Sequence, residues 1–214
     1  MPGDHKLTEG LQAVVFDLDG TLLDSFQSHL EIYQATLASF GIGLTPPEFR
    51  RLYTPNWNDF YRAVGLPPRH WDAASARWLR EATAHRPQPF PGAADALRRL
   101  RRRFRLGLVT AGSRVRVRAD LDRGGITDGF EIVVTADDVA QPKPDPEGLL
   151  AALGALGVAP ERALYVGDTD SDYEFARAAG VAFVGVTSGF TRPSADGAYV
   201  RLATVTDLPG YLRA

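Results

Sequence analysis

The chain of 214 residues contains no cysteine, which excludes disulfide bonds and thiolate metal ligands. No apolar run approaches the ~18 residues of a transmembrane helix, and the polar stretch from Met1 to Gly10 lacks the hydrophobic core of a secretory signal. The net charge of -2 gives no bulk attraction to nucleic acid or to an anionic membrane. We therefore expect a cytoplasmic globular protein, a monomer or a homodimer, with neither nucleic acid nor membrane among its partners.

Lysine is almost absent as well. Among the 24 basic residues only Lys6 and Lys143 are lysines, and Lys6 lies in the polar N-terminal stretch. An arginine-rich chain can retain a lysine where a compact ammonium is required and the wider guanidinium does not fit. Chance would also explain one remaining lysine, but the surrounding sequence Gln-Pro-Lys-Pro-Asp-Pro favours a functional interpretation of Lys143.

Short apolar runs rich in β-branched residues alternate with helical patterns along most of the chain. The runs predict buried strands at 13–17, 106–110, 132–135, 163–166 and 182–186, with a weaker sixth near 199–202. The patterns between them predict helices near 93–103, 113–123, 146–156 and 171–179. This alternation is typical of the α/β class, in which helices cover both faces of a parallel sheet.

The segment from residue 25 to residue 91 departs from this alternation and is predicted to be helical, without strands. Phe26, Leu30 and Tyr33 follow helical spacing, and the stretch from Thr45 to Glu48 fits a capping box that opens a second helix. We expect a helical domain at 25–91, inserted after the first strand, and a core domain formed by 1–24 and 92–214.

Polar residues lie at the ends of four of the predicted strands or in the loops that follow them. Asp17 is the last residue of the first strand and Asp19 follows it, Thr110 is the last residue of the second, Lys143 lies in the loop after the third, and Asp168 and Asp172 follow the fourth. The carboxyl ends of parallel strands lie along one edge of the sheet, where ligands of such folds bind. We therefore expect these side chains to face one crevice.

Asp17 and Asp19 have the spacing of a nucleophile and a neighbouring acid/base. A carboxylate can attack phosphorus and form an acyl phosphate, which splits one difficult displacement into two easier ones. Asp17 suits that role, and Asp19 could protonate the leaving oxygen and later deprotonate the attacking water. The phosphoryl oxygens could be bound by the side chains of Thr110 and Lys143 and by the backbone amides of Leu18, Asp19 and Ala111.

Several carboxylates beside a phosphate repel one another unless a cation is present. The set consists of hard oxygen ligands without histidine or cysteine, which favours Mg²⁺ completed by water and phosphate. A turn after the first strand and an acidic helix N-terminus near Asp168 would explain two of these positions structurally. They would not explain polar groups at four successive strand ends.

These residues resemble the four motifs of the haloacid dehalogenase (HAD) superfamily. The first motif is similar to Asp17-Leu18-Asp19-Gly20-Thr21, the second to Thr110, the third to Lys143-Pro144, and the fourth to Gly167-Asp168 with Asp172. The resemblance covers nearly the whole chain and implies a Rossmann-like core with a helical cap inserted after strand one. It also implies that Asp17, the backbone carbonyl of Asp19 and Asp168 bind the metal, with Asp172 bound directly or through water.

The second aspartate, Asp19, resembles the phosphatase and phosphomutase branches rather than the dehalogenases. Phe90-Pro91-Gly92 and the stretch from Ala176 to Val181 are similar to phosphoglycolate phosphatases and related small phosphatases. We therefore expect a Mg²⁺-dependent phosphatase that acts on a small phosphorylated metabolite through an aspartyl phosphate. The alternatives are a phosphomutase of the β-phosphoglucomutase type, a phosphoacceptor signalling module and an inactive interaction protein.

Specificity would come from the cap, because the core residues handle only the phosphoryl group. We expect Arg50, Arg51 and Asn56 to face the crevice, where an arginine could hold a substrate carboxylate through two parallel hydrogen bonds. The alternative is that both arginines are solvated. Ala111 stands where many relatives have asparagine or serine, so it can offer only its backbone amide. The four histidines show no ligand spacing and are expected at the surface or in packing.

Overall fold

The structure, a computed structural model, describes residues 10–82, 84–189 and 199–214. The strands of this part are β1 Ala13–Phe16, β2 Leu23–Asp24, β3 Gln88–Pro89, β4 Arg105–Val109, β5 Ile132–Val134, β6 Ala163–Gly167, β7 Ala182–Val186 and β8 Val200–Leu202. Six of them form one sheet in the order β5-β4-β1-β6-β7-β8, and every pair in it is parallel. The predicted α/β class and its sheet are confirmed.

Both faces of the central sheet are buried, which explains why its strands are continuous apolar runs. Successive side chains of a strand point to opposite faces. In β1, Val14 and Phe16 belong to the hydrophobic cluster on one face, and Ala13 and Val15 belong to the cluster on the other. The strand is therefore fixed by packing on both sides, and the residue that follows it is held rigidly.

The described α-helices are α1 Phe26–Ala38, α2 Pro46–Leu52, α3 Trp57–Ala63, α4 Trp71–Ala82, α5 Ala93–Leu100, α6 Arg114–Gly124, α7 Glu147–Leu156, α8 Asp170–Ala178 and α9 Leu208–Tyr211. Helices α5, α6 and α9 contribute to the cluster on one face of the sheet, and α7 and α8 contribute to the other. In this described part, no helix combines the length and the hydrophobicity that a membrane span requires.

Helices α1 to α4 form a hydrophobic cluster of their own. It is built from aromatic side chains, among them Tyr33, Phe49, Phe60 and Trp78, whose rings pack against one another. The capping box at Thr45 is present: the Thr45 hydroxyl accepts a hydrogen bond from the backbone N–H of Glu48, and the Glu48 carboxylate accepts one from the backbone N–H of Thr45. These four helices therefore pack around a second core, next to the edge where the sheet strands end.

The chain enters and leaves this helical segment through a short antiparallel pair that the sequence did not predict. Leu23 pairs with Pro89, and Asp24 pairs with Gln88. A two-residue strand is too short to show a period-two pattern, and the second one lies among prolines. The prediction of a segment without strands was therefore wrong at Gln88–Pro89.

Candidate active site

Asp17 directly follows β1 and is held at the edge of the sheet. Its backbone N–H donates to the carbonyl of Val166 on the neighbouring strand at 2.8 Å. The residue is 8% exposed, and Oδ1 accepts a hydrogen bond from Lys143 Nζ at 2.7 Å. The carboxylate and the ammonium, which are 126 residues apart in the sequence, therefore form a buried ion pair.

Lys143 also contacts two further buried groups. Its Nζ donates to Asp172 Oδ1 at 3.0 Å and to the Tyr165 hydroxyl, which in turn lies 3.2 Å from the carbonyl of Val109. The other oxygen of Asp172 accepts hydrogen bonds from the backbone and hydroxyl of Thr169 in a capping box that begins α8. Asp172 is thus fixed from both sides, and Lys143 is fixed between two carboxylates.

Three buried carboxylates lie close enough to share a cation. Asp17, Asp168 and Asp172 each offer an oxygen, and these oxygens lie within 4.8 Å of one another. Asp168 is fully buried and accepts a hydrogen bond from the Thr21 hydroxyl at 3.2 Å. An all-oxygen, all-carboxylate donor set of this kind fits Mg²⁺ better than zinc or copper.

Burial and neighbouring charges shift the pKa values of Asp17 and Lys143. Burial raises the pKa of Asp17 to about 7, although Lys143 opposes the rise and Asp172 adds to it. Burial alone would lower the pKa of Lys143, but Asp17 and Asp172 raise it above its usual value. A further positive charge at the three carboxylates would favour the ionised form of Asp17.

Asp19 contacts a different cation. Arg116 on α6 holds both of its oxygens, with Nη2 2.5 Å from Oδ2 and Nη1 3.2 Å from Oδ1. His29 on α1 lies 3.4 Å from Oδ1, and Asp120 accepts a further hydrogen bond from Arg116 at 3.0 Å. Burial opposes ionisation of Asp19, but Arg116 and His29 hold the pKa of this carboxyl well below its usual range.

Thr110 and Ala111 complete the arrangement around the nucleophile candidate. A small cavity of about 20 Å³ is lined by Asp17, Asp19, Tyr53, Pro55, Thr110, Ala111, Thr169 and Asp172. Tyr53 and Pro55 belong to the helical segment, so both halves of the protein enclose this cavity. Five of the predicted core site residues line this one cavity: Asp17, Asp19, Thr110, Ala111 and Asp172. Lys143 contacts Asp17 in the cavity wall, and Asp168 belongs to the carboxylate cluster with Asp17 and Asp172.

A larger cavity of about 400 Å³ adjoins Thr110 and Lys143. The helical segment contributes Pro55, Asn56, Trp57, Asn58 and Leu79 to its wall. Asn56 therefore lies where we expected it, but its side-chain oxygen is engaged as the cap of α3, accepting from Asn58 N at 3.0 Å.

Arg50 and Arg51 are not brought to these cavities. Both are exposed on α2. The guanidinium of Arg50 lies over the ring of Phe26, 3.8 Å from its centroid. Helix α2 buries Phe49 in the cluster of the helical segment, and this packing turns the neighbouring arginines outward.

The sequence interpretation missed Arg116, His29 and Tyr165. His29 does pack, as expected, but it also contacts Asp19. The sequence could have predicted this position, because residue 29 lies one helical turn before Tyr33 and therefore on the same face of α1. Arg116 offered only an i, i+4 pairing with Asp120, which is equally typical of a surface ion pair.

Comparisons of the sequence with known proteins agree on one family. Residues 14–186 match the family described as haloacid dehalogenase-like hydrolase. The chain is 35% identical over 196 residues to the phosphoglycolate phosphatase of Rhodospirillum rubrum, covering 85% of this chain and 81% of that protein. It is 30% identical over 213 residues to the N-acetylmuramic acid 6-phosphate phosphatase of Pseudomonas aeruginosa, covering 93% and 92%.

Solved structures agree with these matches. CbbY from Rhodobacter sphaeroides, determined in complex with phosphate, superimposes with a TM-score of 0.77 at 25% identity. The alignment covers 95% of this chain and 100% of that one. This chain therefore shares its fold with that structure over nearly its whole length.

Proposed function

The chain belongs to the haloacid dehalogenase-like hydrolase family and is a phosphatase, and we propose that it hydrolyses a small phosphomonoester, phosphoglycolate or a near analogue, through an aspartyl phosphate on Asp17. One observation carries the proposal: Asp17 contacts Lys143 at 2.7 Å and shares a carboxylate cluster with Asp168 and Asp172. Family membership favours hydrolysis over a phosphoacceptor signalling role.

The proposed reaction has two halves. In the first, a carboxylate oxygen of Asp17 bonds to phosphorus as the bond from phosphorus to the ester oxygen breaks, and Asp19 gives its proton to that oxygen. In the second, Asp19 takes a proton from water, whose oxygen bonds to phosphorus and releases phosphate and free Asp17. Lys143, Thr110 and the amides of Leu18, Asp19 and Ala111 hold the phosphoryl oxygens.

We propose Mg²⁺ as the cofactor, held by Asp17, Asp168 and the backbone carbonyl of Asp19, with Asp172 bound directly or through water. Supporting this assignment, Asp168 is fully buried and offers an oxygen that lies within 4.8 Å of oxygens of Asp17 and Asp172, and Lys143 supplies a single positive charge to Asp17 and Asp172. Bound Mg²⁺ would neutralise charge on the carboxylates and on the phosphoryl oxygens.

Asp19 must leave its present contacts to act as an acid. Paired with Arg116 it is ionised, which suits the base of the second half but not the donor of the first. We propose that the helical domain at 25–91 forms a cap over the core of 1–24 and 92–214, and that substrate binding under this cap loosens the Arg116 contact. Tyr53 and Pro55 of the cap already line the cavity at Asp17.

A screen of phosphate esters tests the proposal. With Mg²⁺ we expect release of inorganic phosphate from phosphoglycolate, and chelation with EDTA should reduce the rate by at least about 100-fold, because the metal supplies several kcal/mol of charge stabilisation. Colorimetric phosphate release measures both, and addition of excess Mg²⁺ after chelation should restore the activity.

Two outcomes of this screen would contradict the proposal. Full activity in EDTA would exclude the metal assignment. Conversion of a sugar 1-phosphate into the 6-phosphate, followed by ³¹P NMR and without free phosphate, would identify a phosphomutase instead.

Gly189 offers a test of the metal site away from the ligands themselves. A Cβ at this position would overlap Asp168 Oδ2 and would lie 2.5 Å from the carbonyl oxygen of Gly20. We expect Gly189→Ala to displace Asp168 and to weaken the apparent Mg²⁺ affinity by about 10- to 100-fold, as for other changes that reorient a ligand. Titration of activity with Mg²⁺ measures this effect.

The matched control is Gly154→Ala, because a Cβ at residue 154 on α7 meets no atom within 4 Å. Its Mg²⁺ dependence should equal that of the parent. Unchanged Mg²⁺ affinity in Gly189→Ala would remove Asp168 from the proposed ligands.

A further inference from the structure

A second small cavity lies on the Arg116 side of Asp19, between the cap and the core. It measures about 30 Å³, and its lining includes Asp19, His29, Tyr53, Trp57, Trp78 and Arg116. Arg116 and Asp19 come from the core, whereas the four aromatic residues come from the inserted segment 25–91. The cavity is therefore closed by aromatic rings on the cap side, and on the core side it contains the carboxylate of Asp19 and the guanidinium of Arg116 that pairs with it.

Two buried hydrogen-bond donors in the lining residues have no acceptor among the described residues. They are Nε of Arg116 and the indole nitrogen of Trp78. A guanidinium and an indole can only donate, and a buried donor without an acceptor is costly and uncommon. Both groups therefore require an acceptor that the described protein does not provide.

The size of the cavity and the chemistry of Arg116 indicate which acceptor fits. One water needs about 10–15 Å³ of such a cavity, so roughly two or three atoms of that size can enter, as in a carboxylate. Nη1 and Nη2 of Arg116 already hold Asp19 and Asp120, so Nε is the donor left for a ligand, and protonation of Asp19 as the proposed acid would release the charge of the guanidinium toward a ligand carboxylate.

The position relative to Asp19 indicates which molecule brings this carboxylate. In the proposed function Asp19 faces the ester oxygen of the leaving group, and Asp19 and Arg116 share the same cavity. A group bound at Arg116 would then lie within a few bonds of that oxygen. We propose that Arg116 and Trp78 form a carboxylate subsite for the leaving group, so that the preferred substrates are phosphomonoesters of short hydroxy acids.

This inference rests on the proposed phosphatase function and assigns specificity to residues other than Arg50, Arg51 and Asn56. It is tested with two esters that differ mainly at the carboxylate, phosphoglycolate and 2-hydroxyethyl phosphate. The measured quantity is the ratio of their kcat/KM values. We expect Arg116→Lys, which keeps a positive charge beside Asp19 but loses Nε, to lower this ratio by about 10- to 100-fold.

A second variant protects the test against misfolding at residue 116. Trp78→Phe keeps an aromatic ring in the cap cluster but removes the indole N–H together with part of the ring, and we expect it to lower the ratio by about 5- to 10-fold. Trp71→Phe is the matched control, since the Trp71 indole N–H already donates to the carbonyl of Leu66 at 2.8 Å within the cap. Its ratio should equal that of the parent.

The outcomes separate the two proposals. A parent enzyme that hydrolyses both esters equally well, or variants that lose activity on both esters in proportion, would overturn the carboxylate subsite while the phosphatase function stands. A parent that releases phosphate from no ester in the presence of Mg²⁺ would overturn the proposed function and the subsite together.

Discussion

Replacement of Asp17 by asparagine is expected to abolish turnover, with a loss of about 10⁴- to 10⁶-fold in kcat, the range for removal of a covalent nucleophile. The amide has nearly the shape of the carboxylate but cannot form an acyl phosphate. The substitution also removes one negative charge from the buried cluster with Asp168 and Asp172. Because this reduces the repulsion between buried carboxylates, the variant should fold. Phosphate release from the preferred ester measures the effect, and circular dichroism verifies the fold.

A chemical trap distinguishes a nucleophile from a mere metal ligand. Borohydride reduces an aspartyl phosphate to homoserine, so the parent quenched during turnover should contain homoserine at position 17 by peptide mass spectrometry. Asp128→Asn is the control, because Asp128 is exposed and lies outside the site. Turnover by Asp17→Asn within tenfold of the parent, or no modification of Asp17 in the trap, would remove this residue from the nucleophile role.

The central sheet and its strand ends were predictable because parallel packing leaves a strong trace in the sequence. β1 and β6 are buried on both faces, so each reads as an unbroken apolar run. The first polar residue after such a run lies at the carboxyl edge, and all strands of the sheet share that edge. For this reason the sequence alone predicts that Asp17, Thr110 and Asp168 lie near one another.

The contacts of Asp19 were not predictable, because they depend on how whole helices dock. Arg116 lies 97 residues from Asp19, and only the rotation of α6 against the sheet turns its guanidinium inward. The contact of Tyr165 was not predictable either. Strand alternation predicts the face of the sheet on which Tyr165 lies, but not that its hydroxyl contacts Lys143. Arg50 and Arg51 were expected at the site on charge alone, whereas the burial of Phe49 sets their direction.

The second large effect is expected at Lys143. Lys143→Met keeps the length of the side chain but leaves Asp17 and Asp172 buried without their ammonium. Removal of one partner from a buried ion pair costs about 3–5 kcal/mol of unfolding free energy, and loss of a charged donor to the phosphoryl group should lower kcat by about 10²- to 10³-fold. Urea unfolding and steady-state kinetics measure the two effects separately.

The stability deficit should depend on pH in a defined direction. Burial already raises the pKa of Asp17 to about 7 with Lys143 in place, and removal of the ammonium raises it further. An acid with a higher pKa in the folded state binds more protons there than in the unfolded chain, so stability falls as pH rises. In EDTA, the deficit of Lys143→Met should therefore be largest near pH 8 and shrink as the pH falls below about 7.

Two further variants test whether the losses of stability and activity are specific to position 143. Arg118→Met removes an exposed cation and should change stability by less than about 0.5 kcal/mol. Lys143→Arg restores the charge but brings a wider fork into a space bounded by Asp17, Tyr165 and Asp172. We expect it to recover stability at high pH more than activity, because folding needs the charge and catalysis needs the compact ammonium in place. If Lys143→Arg hydrolysed the ester as fast as the parent, the retention of lysine in this arginine-rich chain would have no catalytic reason.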